Sequence, residues 1–163
     1  MPPTFDPRSI PAFSVIRVPY QFDGDPRPEE KLFVVLCHKD SFAICIKATS
    51  KTALFKNNPA MMKGCVWFPA RQLSCFPLDT AIEPDNQFPI PHQSIRKASA
   101  DGVLQVHQLP PEFENDLRTA INNSATLSPR KRARILEMFW PDYLDPSAAI
   151  MMSRVHPAPA PGK

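Results

Sequence analysis

Residues 31–51 read KLFVVLCHKDSFAICIKATSK. Leu32, Phe33, Val34, Val35 and Leu36 form one unbroken apolar run, and Phe42, Ala43, Ile44, Cys45 and Ile46 form a second. The polar stretch His38-Lys39-Asp40-Ser41 lies between them. Two short, β-prone runs across a short polar connection predict a β-hairpin. Neither run alternates apolar with polar, so both faces of the hairpin are expected to be covered, as at the centre of a small barrel or sandwich. Polar side chains sit at the ends: Lys31 enters, and Lys47, Thr49, Ser50 and Lys51 leave. Such a hairpin is a rigid base that can hold a site at one rim.

On the N-terminal side, residues 13–22 (FSVIRVPYQF) set Phe13, Val15 and Tyr20 against Arg17 and Gln21. They predict a strand in which Pro19 takes an edge position or a bulge. Residues 23–30, DGDPRPEE, are a charged loop by composition. On the C-terminal side, residues 52–63 fit either a short helical turn around Met61 and Met62 or an irregular crossover. CVWFPA reads as a strand ended by Pro69, and Cys75-Phe76-Pro77-Leu78 as a short extended piece. Thr80 and Ile82, then Phe88 and Ile90, suggest strand segments on either side of a turn at Pro84-Asp85-Asn86.

Residues 94–107 predict another hairpin, turning at Ser99-Ala100-Asp101-Gly102, because Asp-Gly supplies the positive φ such turns need. The period then changes. Phe113, Leu117, Ala120 and Ile121 share one helical face, Pro110 and Pro111 suit a first turn, and Glu112, Glu114 and Asp116 complement the helix dipole. Ser128-Pro129 opens a second helix, an N-cap followed by proline.

The chain has 163 residues, of which 43% are apolar, enough for one domain with an extension. The net charge of +3, from 19 basic and 16 acidic residues, does not by itself demand a nucleic-acid partner. Proline is abundant at 21 residues and glycine scarce at 4, which predicts short elements joined at proline-set corners. No apolar run approaches about 18 residues, so no membrane span is expected, and a proline-broken N-terminus does not read as a secretory signal. A cytoplasmic location follows as the expectation. Cys37, Cys45, Cys65 and Cys75 form no C-x-x-C pair and have no histidine at zinc-finger spacing, so buried free thiols and no metal site are expected.

The expected organisation is a proline-rich extended arm (1–12), a small SH3-like β-barrel with a closing helix (13–124), a helical extension (125–152) and a disordered Pro/Ala tail (153–163). The fold class is mainly β, a small barrel followed by C-terminal helices.

The order of elements resembles the MazF/PemK (Kid) family of toxin endoribonucleases over about residues 13–123. The segments that carry it are IRVPYQF, DGDPRPEE, KLFVVL, AICIKATSK, SIRKASADGVLQV and the helix from Pro111. The family pattern has Arg-Pro just before the apolar strand. Here Lys31 stands at that point, with Arg27-Pro28 a few positions upstream. The resemblance implies a PemK/MazF-type barrel and metal-independent cleavage of RNA, with Lys31, Arg27 and Thr49 as candidate site residues. It also implies an acidic antitoxin-like partner laid over the groove, and it allows a homodimer.

The chemistry fits those residue types. Metal-free RNA cleavage uses the 2′-OH as nucleophile and needs a cation near the phosphorane, so no cofactor is expected. Arginine offers a bidentate fork and lysine a point charge. Thr49 can donate a hydrogen bond to a phosphate oxygen. Lys47, Lys51 and Lys56 would add backbone affinity. Arg130, Lys131, Arg132 and Arg134 crowd the start of the last helix, where they oppose its dipole; Arg130 and Arg132 are therefore candidate phosphate contacts. His38 is expected to be exposed in the hairpin loop, and Trp67 and Phe68 to belong to the core. Two other functions remain open: a non-catalytic SH3-like protein-interaction module, suggested by the proline-rich termini, and a basic nucleic-acid binder without cleavage.

Overall fold

The computed structural model describes residues 4–21, 24 and 26–140. The expected tail at 153–163 and residues 141–152 of the extension lie outside the described residues.

The predicted hairpin forms from β2 (Glu29–His38) and β3 (Phe42–Thr49). It sits at the centre of a six-stranded antiparallel sheet with β1 (Ser14–Tyr20), β4 (Val66–Phe68), β5 (Thr80–Pro91) and β6 (Gln105–Gln108), in the order β4-β5-β3-β2-β1-β6. The sheet is a curled half-barrel with a few helices against it. Both faces of the hairpin are covered, as its unbroken apolar runs require. On one face Val34, Leu36 and Ile46 pack with helices α4 (Phe113–Asn123) and α5 (Pro129–Phe139) through Phe113, Leu117, Ile121, Ile135 and Leu136. On the other face Phe33, Val35, Ala43 and Cys45 pack with Ile95 and Ala98 of helix α3 (His92–Ala100) and with Ile10. Helix α5, expected as an extension, thus contributes to the same core as the sheet. Gly64 closes in on the end of α4: a Cβ there would stand 3.0 Å from the Ser124 Cα.

Proline sets where strands lose a neighbour. Pro19 pairs across to Glu30, but β6 covers β1 only over Ser14–Arg17, so the missing N–H faces no partner strand. Pro89 and Pro91 pair with Ile44 and Phe42 of β3, while β4 reaches β5 only at Thr80–Ile82.

Several local expectations are corrected. Residues 83–86 do not break the chain into two strands. They bulge from a continuous β5, whose partner on β3 shifts from Gln87↔Ile46 to Ile82↔Ala48. Residues 94–100 are helix, not the first arm of a hairpin. His92, Ile95 and Ala98 are buried at a three-residue spacing, which is helical periodicity. The Asp-Gly signal marks the end of that helix: Gly102 has φ +72° and the N–H of Val103 bonds back to Ala98 O at 2.9 Å. Residues 75–78 run through a turn and a bend, not an extended strand. The ambiguous stretch resolves into two short helices, α1 (Ala53–Lys56) and α2 (Pro59–Lys63), the second capped by Asn58.

The N-terminal segment is anchored more firmly than its prolines suggest. Pro7–Ser9 form a 3-10 turn capped by Asp6, and Ile10 is buried. Phe13 adopts φ +64° and its N–H bonds to Val35 O at 2.6 Å. Its ring then lies between those of Phe113 and Trp140, at 6.0 and 6.3 Å. The four cysteines are free thiols, with Cys37 half-buried and the others buried.

Candidate functional site

The polar ends of the central hairpin open onto a cleft of about 310 Å³. β2 brings Lys31 to it, and β3 with the two residues after its end brings Lys47, Thr49, Ser50 and Lys51. Antiparallel pairing explains the convergence, because the start of β2 and the end of β3 lie side by side, with Phe33 opposite Lys47. β1 adds Arg17, which pairs across to Leu32. The bend before β5 adds Pro77 and Leu78, and the first residue of β5 adds Thr80.

Four cations therefore line one wall system, and Lys31 and Arg17 among them pair with carboxylates. Lys31 meets Glu29 at 2.6 Å, and Arg17 meets Glu30, itself in the cleft, at 2.7 Å. The Lys31 hydrogen bond and charge hold the exposed Glu29 carboxyl below its ordinary value, and the charges of Arg27 and Lys51 act in the same direction. Lys31 is the more sheltered member of its pair, with its side chain 28% exposed. These are surface pairs that a polyanion can displace at small cost.

The hydroxyls differ in what they can do. Thr80 donates to Leu78 O at 2.8 Å. Thr49 instead accepts from the Lys51 N–H at 3.1 Å, which leaves its own O–H to donate into the cleft. Cys75 also lines the wall, but burial pushes its thiol above the ordinary value, so it remains protonated near neutral pH and is a poor nucleophile.

Lys31, Thr49, Lys47 and Lys51 thus come together, and the other candidates do not join them. Arg27 is exposed and is not a lining residue, although its charge reaches Glu29. Lys56 pairs with Asp79 at 2.7 Å and lies over the Trp67 ring at 5.8 Å. Arg132 turns its guanidinium to the end of α4, donating to Ile121 O at 3.1 Å and Ser124 O at 2.9 Å. Lys131 pairs with Asp85. Arg130 remains exposed on α5. His38 is half-buried against His92, at the opposite end of β2, and is not a cleft residue.

Arg17 and Glu30 were missed as site residues. Arg17 faces the cleft only through cross-strand register, which neither its strand nor its neighbours in sequence announce. Glu30 adjoins Lys31 in sequence but belongs by composition to the charged loop. Among the described residues no group of three or more His, Cys, Asp or Glu is placed to hold a metal ion, and no helix is long and apolar enough to cross a membrane.

Comparison with known proteins gives this chain no matching family model and no matching curated protein.

Proposed function

We propose that the cleft binds the phosphodiester backbone of RNA and cleaves it without a metal, in a half-barrel of the SH3-like, PemK/MazF type. The observation that carries this reading is the meeting of Arg17, Lys31, Lys47, Lys51 and the Thr49 hydroxyl around one cleft. In this reading, the Glu30 carboxylate takes the proton of the 2′-OH as the 2′-oxygen attacks phosphorus. The 5′-oxygen leaves with a proton from solvent, giving a 2′,3′-cyclic phosphate and a free 5′-hydroxyl. Lys31 and the Thr49 O–H stabilise the charge on the non-bridging oxygens. Lys47 and Lys51 hold neighbouring phosphates. Pro77 and the exposed Leu78 offer an apolar rim against which a base can rest.

The test is incubation of the purified protein with RNA in the presence of a chelator. Cleavage that persists with chelator and falls about a hundredfold in Lys31→Ala or Thr49→Ala supports the assignment. Equal rates in both variants would remove it. Neutralising Lys47 or Lys51 is expected to lower the salt dependence of binding by about 0.7 in log–log slope each.

A second reading has its own observation. Arg17 and Lys31 are already matched by carboxylates, and the Arg-Pro fork of the family pattern is replaced by Lys31. A cleft of that kind also suits an acidic peptide segment of another protein, exchanging its carboxylates for Glu29 and Glu30 without any cleavage. Binding of an acidic peptide by a protein that leaves RNA intact would favour this reading. A partner of antitoxin type that covers the cleft fits both readings.

A further inference from the structure

The opposite end of β2 holds a different kind of polar group. His38 Nδ1 lies 2.9 Å from His92 Nε2, and His38 Nε2 lies 2.9 Å from the carbonyl oxygen of Ile10. His92 is 1% exposed, and its backbone N–H is held by Ser41 O at 2.9 Å. Its Nδ1 is buried and has no partner among the described residues. Three parts of the chain meet here: the N-terminal turn, the β2–β3 connection and the start of α3. Arg8 also ties the first two together by donating to Asp40 O.

Counting protons fixes the arrangement. A carbonyl only accepts, so His38 Nε2 carries a hydrogen and donates to Ile10. His38 is neutral when its Nδ1 is bare, so His92 Nε2 donates to it. Both rings are then neutral and every ring hydrogen is used. One further proton can enter at one place only. Whether the charge is drawn on His38 or on His92, keeping both bonds requires a hydrogen on His92 Nδ1, the buried atom with no acceptor.

We propose that the His38–His92 pair is an acid-released latch, in which one added proton undoes the histidine chain and frees the segment around Ile10 from the β2–β3 turn. The charges around the pair favour release. Arg8 of the N-terminal turn and Arg96, one turn along α3, both disfavour a cation on His92, as does His38; Asp6 opposes them. Burial is the largest effect and acts in the same direction, holding His92 below its ordinary value. Lys39 and Asp40 in the connecting turn bring one charge of each sign. His92 also opens α3, where the helix dipole repels a cation. An imidazolium at this position reaches water by turning outward, and the bond to His38 cannot survive that movement.

The experiment is hydrogen–deuterium exchange of the full chain at about pH 7.5 and about pH 5.5, corrected for the intrinsic pH dependence of exchange. Residues 4–13 are expected to lose protection by about tenfold or more at the lower pH. β4, at the far edge of the sheet beyond β5, serves as an internal control and is expected to hold its protection. His92→Gln keeps an N–H to offer His38 but cannot be protonated, so in this variant the loss is expected to vanish. An equal loss in the variant, or none in the native protein, overturns the proposal. Ring-nitrogen NMR of the native protein gives a reading that needs no variant: His92 Nδ1 is expected to be unprotonated at neutral pH. A protonated Nδ1 there overturns the latch.

Discussion

The two ends of β2 treat their polar residues in opposite ways. At the start of the strand, Lys31 faces an open cleft, and its charge is answered by a carboxylate that solvent can replace. At the end, His38 leans on a histidine that is 1% exposed, and the last ring nitrogen of the pair has no partner among the described residues. The first arrangement tolerates exchange of partners, which is what a binding site needs. The second tolerates only one protonation state, which is what a switch needs. Solvent access makes the difference, since in water an ion pair contributes little, whereas a buried unmatched proton is expensive.

The comparison can be broken most severely at its shared support. Phe33 is fully buried midway between the two ends. Phe33→Ala is expected to destabilise the fold by about 3–5 kcal/mol, measured by chemical denaturation, and to loosen the cleft and the histidine pair together. If only one end responds, the ends do not share a core. Next in size is the cleft itself. The hundredfold loss of cleavage expected for Lys31→Ala corresponds to about 2.7 kcal/mol at the transition state, and protection of residues 4–13 should be unchanged.

Acidification gives a smaller effect on the other end. The folded state holds His92 below its ordinary value of 6.5. The unfolded chain therefore binds more protons, and stability rises with pH across that window. As pH falls below about 6.5, the native protein is expected to lose stability faster than His92→Gln, as followed by its denaturation midpoint. Parallel curves would mean that His92 titrates freely in the fold. The smallest effect belongs to the half-exposed Arg17–Glu30 pair. Glu30→Gln is expected to change stability by no more than about 1 kcal/mol while reducing cleavage. A large stability loss would show that this pair supports the fold.

The central hairpin, its two covered faces and the last two helices are legible in the sequence because each depends on a local apolar period and on caps such as Ser128. The convergence of Lys31, Lys47, Thr49 and Lys51 is legible for a related reason, since a tight hairpin places its two ends side by side. Other features came from tertiary structure alone. Asp101-Gly102 fits a hairpin turn and a helix end equally well, and only the burial of His92, Ile95 and Ala98 against the sheet selects the helix. Proline-rich residues near the N-terminus carry few apolar anchors, yet they are fastened by hydrogen bonds from Arg8 and His38, which lie far apart in sequence. Arg17 reaches the cleft, and His38 finds His92, through strand register and packing across 54 positions of chain. Local sequence sets which elements form, because backbone preference and periodicity act over a few residues. Which polar atoms meet, and whether water reaches them, depends on contacts that exist only once the chain has closed on itself.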